Sequence, residues 1–313
     1  MSTIAGTTLD VFPLCLGGNV FGWTADDDAS FAVLDAYAIA GGNFIDTADA
    51  YSAWVPGHSG GESETIIGRW LRARGNRDAM TIATKVGMAP GLQGLSDKVI
   101  RTAVERSLER LQTDYIDLYY AHYDDQSTPL EDTLGTFDAL IQEGKLRYVA
   151  ASNYTAARLA EALAVSDRAG LARYVAVQTE YNLVERAGYE GELRDLCARE
   201  GLSCLPYFGL AKGFLTGKYR PGGDRVDSAR AEGARAYLDE RGLRVLTTLD
   251  EVAAAHRTAV AAVALAWLLA QPTVAAPIAS ARTPDQLEDL LPAVTLRLSD
   301  EELAALDEAS APG

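Results

Sequence analysis

The sequence predicts a single (β/α)8 barrel, and three observations carry that expectation. Eight short apolar runs rich in β-branched residues alternate with helical patterns along nearly the whole chain. The runs are apolar throughout instead of alternating with polar residues, as happens when helices cover both faces of a parallel sheet. The length, 313 residues, suits one barrel of about 250 residues with extensions. The expected organisation is one domain over 1–313, with a long loop after the seventh strand and an extra C-terminal helix. A doubly wound open sheet is the alternative. No GxGxxG follows the first run, since LGGNVFG (16–22) has a different glycine spacing, and no P-loop occurs.

In chain order, FPLCLG (12–17) reads as the first strand and ASFAVLDAYAIA (29–40) as the helix after it. NFIDT (43–47) is the second strand. MTIATKV (80–86) is the third, followed by the helix DKVIRTAVERSLERL (97–111). IDLYYAH (116–122), with TLGTFDALIQEG (133–144), forms the fourth unit, and RYVAAS (147–152), with AARLAEALAVSD (156–167), the fifth. YVAVQTE (174–180) precedes the helix ELRDLCARE (192–200), and LSCLPYF (202–208) is the seventh strand. The segment 212–237 is rich in Gly, Arg and Asp and reads as a functional loop. The helix TAVAAVALAWLLA (258–270) then leads to the eighth strand, VAAPIAS (274–280), and to PDQLEDLL (284–291). TLRLSDEELAALDEAS (295–310) closes the chain as a helix capped by Ser299.

Charge and cysteine usage narrow the function. A formal net charge of −16 argues against nucleic acid or an anionic membrane as partner. No apolar run approaches the ~20 residues that span a bilayer, and the first ten residues show no secretory signal. Cys15, Cys197 and Cys204 are widely spaced and odd in number, which suits small buried hydrophobes in a reducing cytoplasm. His58, His122 and His256 form no HxH or HExxH pattern, so no metal site is expected.

In a parallel barrel the strands' C-terminal ends share one mouth. Around it come Asp46, Lys85, His122, Ser152 with Asn153, Gln178, Tyr207 and Ser280. Singly, each is an ordinary rim residue; converging, they read as a site. Tyr51 follows Asp46 by five residues and hangs from the same loop. An ammonium beside a phenol stabilises the phenolate and lowers its pKa from about 10, and a carboxylate fixes the ammonium. Asp46, Lys85 and Tyr51 suit those roles, with His122 bonding a carbonyl oxygen. The set protonates an alkoxide as a hydride reaches carbon.

GGNFIDTADAY (41–51), TIATKVG (81–87) and DYIDLYYAHYDD (114–125) resemble the aldo-keto reductase superfamily. The likeness continues through GGESETIIGRWL (60–71), GKLRYVAASNY (144–154), VQTEYNL (177–183) and FLTGKY (214–219). It implies a catalytic tetrad of Asp46, Tyr51, Lys85 and His122. It also implies that Ser152, Asn153 and Gln178 hold a nicotinamide carboxamide and that Tyr207 stacks on its ring. Thr283 and Pro284 read as the cap and first residue of a helix whose amides form an anion site, with Ser280 and Arg282 placed for an adenosine 2′-phosphate. Gln286 stands where many relatives carry a second arginine, and Leu290 where an asparagine is usual. The arginine suits phosphate, which favours NADPH, with NADH the alternative. Lys218, Arg220 or Arg225 of the 212–237 loop are candidate pyrophosphate donors.

Trp23, Trp54, Tyr123 and Tyr154 are expected to line an aromatic substrate pocket. Trp70 and Trp267 read as core, and His58 as a loop residue. The expected partner is a small carbonyl compound, and the expected state a monomer or weak homo-oligomer. The alternatives are a redox-sensing channel subunit, as some relatives of this superfamily are, and a silent cofactor-binding scaffold.

Overall fold

A computed structural model describes residues 1–222 and 228–311. Eight parallel strands form one curled sheet: β1 (Cys15–Gly17), β2 (Phe44–Asp46), β3 (Thr81–Val86), β4 (Ile116–Ala121), β5 (Leu146–Ser152), β6 (Tyr174–Gln178), β7 (Ser203–Cys204) and β8 (Ile278–Ala279). Neighbours in sequence are neighbours in space, and β8 pairs with β1 through Ile278↔Cys15. A parallel bridge between Cys204 and Val274, with Ile278 N–H donating to the Pro206 carbonyl at 2.8 Å, joins the last gap and closes the barrel.

All eight predicted strands are present. The seventh and eighth are shorter than their apolar runs because Pro206 and Pro277 have no N–H for the ladder; each contributes its carbonyl alone. A short antiparallel hairpin, Ser2–Thr3 with Asp10–Val11, precedes β1.

Helices α1 (Asp27–Ile39), α2 (Glu62–Arg74), α3 (Asp97–Leu111), α4 (Leu130–Gln142), α5 (Ala156–Ala169) and α6 (Glu192–Glu200) wrap the sheet in turn. After β7 come the short α7 (Ala231–Arg235), α8 (Glu240–His256) and α9 (Val260–Leu269); after β8 come the five-residue α10 (Pro284–Glu288) and α11 (Asp300–Ser310). The caps follow the sequence: Thr283 accepts from the Gln286 amide, and Ser299 and Glu302 make a reciprocal capping box. Trp70 and Trp267 are fully buried, and the three cysteines are free and buried. Among the described residues no single helix is long and apolar enough to cross a membrane.

α2 and α3 approach very closely. A Cβ on Gly68 of α2 would lie 2.1 Å from the Arg110 carbonyl oxygen of α3, so only glycine permits this crossing. The consequence is that Arg110 reaches the fully buried Glu64 of α2 at 2.6 Å.

Candidate active site

Because all eight strands run the same way, their C-terminal ends open on one mouth, and a cavity of about 740 Å³ occupies it. Asp46, Ser152 and Gln178 are the last residues of β2, β5 and β6; Lys85 is the next to last of β3; His122 directly follows β4. Tyr51 sits on the β2–α2 loop, where its N–H bonds the Ala48 carbonyl and its own carbonyl accepts from Gly61.

Lys85 lies behind Asp46 and Tyr51, which line the cavity, and has no exposed surface itself. Its ammonium donates to Asp46 Oδ2 at 2.6 Å, to the Thr47 carbonyl at 2.8 Å and to the Tyr51 hydroxyl oxygen at 3.0 Å, which uses all three protons. Burial alone would lower the ammonium; Asp46 and Tyr51 together outweigh it and hold Lys85 above its usual value. Tyr51 also reaches Asp46 Oδ2 at 3.3 Å, a long contact that leaves its proton transferable. Gln178 donates from Nε2 to Asp46 Oδ1 at 2.8 Å, so the carboxylate is gripped from opposite sides of the barrel.

The tyrosine departs from the sequence-based expectation. Burial is the largest influence on it and pushes it up to about 12, with Lys85 pulling down against burial and Asp46. The lysine here offsets part of a desolvation cost and does not produce a phenol more acidic than usual.

His122 is held down to about 3, by burial and then by Lys85, so the imidazole is neutral. Its Nδ1 is buried with no partner among the described residues. Tyr123 stacks on the ring at 5.5 Å.

Asn153 takes a left-handed backbone, φ +59°, donates to the His122 carbonyl, and accepts from the Tyr207 hydroxyl at 2.9 Å. Ser152, Asn153, Gln178, Tyr207, Ser280, Arg282 and Gln286 all line the cavity. Two sites in the β8–α10 turn are already engaged: Gln286 Oε1 accepts from the Arg282 amide at 3.0 Å, and Ser280 donates to Asn19 at 2.6 Å.

Trp23, Trp54 and Tyr123 line the outer part of the cavity, with Trp23 edge-on to Trp54 at 5.5 Å. Tyr154 does not. The left-handed turn at Asn153 sends it the other way, where it is buried with its hydroxyl against that of Tyr174. Arg220 is likewise elsewhere, bonded to Asp250 at 2.7 Å and to the Gly217 carbonyl. Lys218 lines the cavity, and Arg225 lies outside the described residues. His58 is exposed.

Residues that the sequence did not single out also line the cavity, among them Asn19, Phe208, Lys212 and Arg230. Asn19 comes two residues after β1 and carries the strand-end signal used for the others. Arg230 carries none; its guanidinium lies 5.4 Å from the Trp23 ring and 5.5 Å from Phe208. Desolvation and Arg282 hold Arg230 below its usual value against Tyr51, and desolvation, Arg282 and Arg230 do the same for Lys218. Three cations crowd one wall of the cavity, a wall fitted to a polyanion such as a dinucleotide diphosphate.

The barrel and this mouth together define an oxidoreductase. The chain belongs to the Aldo/keto reductase family, whose sequence model matches residues 13–311, and whose members generally use nicotinamide cofactors. It is 34% identical to the Escherichia coli (strain K12) protein tas, over 97% of this chain and 95% of that one. It is 34% identical to norsolorinic acid reductase stcV of Emericella nidulans, over 98% and 80%. Identity to the aryl-alcohol dehydrogenase GME11368 of Pestalotiopsis microspora is 30%, over 95% and 78%.

Proposed function

We propose that this protein is an NADPH-dependent reductase of aldehydes or ketones in which Tyr51 is the general acid. The observation that carries the proposal is the Tyr51–Lys85–Asp46 contact at the floor of a cation-lined cavity. When bound, the nicotinamide supplies a hydride to the carbonyl carbon. Tyr51 delivers its proton to the oxygen, so that C=O becomes CH–OH. A phenol held near 12 is still far more acidic than the alcohol that forms, so the transfer runs downhill. Lys85 then faces the phenolate at 3.0 Å, and Asp46 keeps it there. His122, neutral, donates a ring N–H to the carbonyl oxygen and orients it.

Ser152, Asn153 and Gln178 would hold the carboxamide, with Tyr207 against the ring. Arg282 with Ser280 would take the 2′-phosphate, and Lys218 with Arg230 the diphosphate. Trp23, Trp54 and Tyr123 suit a planar aromatic substrate, and one similar protein is named for an aryl alcohol. Three free buried cysteines favour a reducing cytoplasm, and we take the working form to be a monomer or weak homo-oligomer.

The test is Tyr51→Phe assayed on a panel of aryl aldehydes with NADPH. Loss of a general acid typically costs ~10²–10⁴ in rate, while NADPH affinity, read by fluorescence quenching, should stay near wild type. A variant that keeps more than about a tenth of wild-type kcat would place the acid elsewhere.

A further inference from the structure

Beneath the tetrad, between β2, β3 and β4 inside and α2 and α3 outside, lies a second polar cluster with no part in the proposed chemistry. Its centre is Asp49, which is 2% exposed and has neither carboxyl oxygen hydrogen-bonded among the described residues. Glu64, fully buried, faces it from α2. Among the described residues the single guanidinium within the cluster, Arg110 of α3, gives its Nε and a terminal nitrogen to Glu64 Oε2 at 2.7 and 2.6 Å. The Thr84 hydroxyl of β3 donates to the other Glu64 oxygen at 2.6 Å. Lys85 approaches from β3, but its three protons are already used. From β4 the Tyr119 hydroxyl is buried close by, also without a partner. Asp49 and Glu64 therefore sit beside one guanidinium, and Glu64 holds it.

The chain carrying Asp49 has no slack. Its N–H bonds the Lys85 carbonyl at 3.3 Å, and its own carbonyl is crowded by Gly60, where a Cβ would lie 2.8 Å away. Two residues on, Tyr51 is fastened by the Ala48 and Gly61 bonds. A charge at Asp49 would be stranded without a partner, two residues from Tyr51 on the same tightly bonded loop.

We propose that Asp49 is a positioning residue for Tyr51, buried in its uncharged, protonated form, and that its ionisation displaces Tyr51 and stops turnover on the alkaline side. Burial and then Glu64 raise Asp49 to about 8; Arg110, the Ala50 amide, which lies near without meeting hydrogen-bond geometry, and Lys85 oppose them and do not win. The proposal rests on Tyr51 as the proton donor.

Asp49→Asn keeps the shape and removes the titration. Thermal melts across pH come first. An acid neutral in the fold and ionised when unfolded contributes stability that is full below its unfolded value of 3.8 and is lost as the pH rises towards about 8. Wild type should therefore fall behind Asp49→Asn progressively between those limits; parallel curves would overturn the proposal. Next, kcat with NADPH and an aryl aldehyde should drop about tenfold per pH unit above about 8 in wild type. In Asp49→Asn that limb should be absent, with the rate at pH 6 within about twofold of wild type. Coinciding limbs would overturn the positioning role even if the melts diverge. Trp54 meets Tyr51 at 6.1 Å, so its emission should follow the same titration without substrate, in wild type only. That reading decides the matter even if no carbonyl is reduced, an outcome that would defeat the reductase assignment alone. Asp49→Ser, small and uncharged, carries the same expectations should the asparagine variant fail to fold.

Discussion

Lys85 and Asp46 are a buried ion pair on which both the proposed acid and the packing of the cavity floor depend. Removing one member of such a pair strands the other charge, at a cost of about 3–5 kcal/mol. Lys85→Met should lower unfolding stability by about that much and remove activity, as measured by urea titration and by turnover. The double variant Lys85→Met with Asp46→Asn should be more stable than the sum of the two losses predicts, because no buried charge is left. The residues of this pair were legible in the sequence: in a parallel barrel, a polar side chain ending an apolar strand faces the common mouth. Tyr154 broke the pattern because one left-handed residue, Asn153, reverses the direction of the next side chain. Asp49 was not legible at all. No strand-end position marks it, since what buries it is the packing of α2 against α3.

At the scale of elements, the strands could be read because β-branched runs covered on both faces leave a continuous apolar signal. α2 and α8 were harder. α2 starts at Gly61, which offers no capping side chain, and α8 follows directly on the Gly- and Arg-rich loop that masks its Asp239 cap. The crossing of α2 and α3 gives a test in which packing opposes intrinsic preference. Alanine is the better helix former by about 0.8–1.0 kcal/mol, yet at Gly68 its methyl meets the α3 backbone. Gly68→Ala should destabilise the protein by about 1–3 kcal/mol, because the helices must part. A variant as stable as wild type in thermal melts would mean that the helices slide past each other at no cost.

For the whole molecule, the cation wall stands against a net charge of −16. Arg282→Ala should weaken NADPH far more than NADH, since only the former carries a 2′-phosphate. A charge-assisted contact of ~1.5–3 kcal/mol corresponds to roughly one to two decades in Kd. Fluorescence titration with both nucleotides checks this, and equal losses would move Arg282 to the shared diphosphate. The same opposition of charges governs how fast an anion arrives as well as how tightly it stays. From a distance the nucleotide meets a repelling body, and only inside about a Debye length, ~10 Å at 0.1 M salt, does it feel the cations. Added salt should then act in opposite directions on the two halves of binding, quickening encounter while shortening residence. In stopped-flow traces, the association and dissociation rates should therefore both rise as salt is added, so that the cofactor exchanges faster while its Kd changes less than either rate.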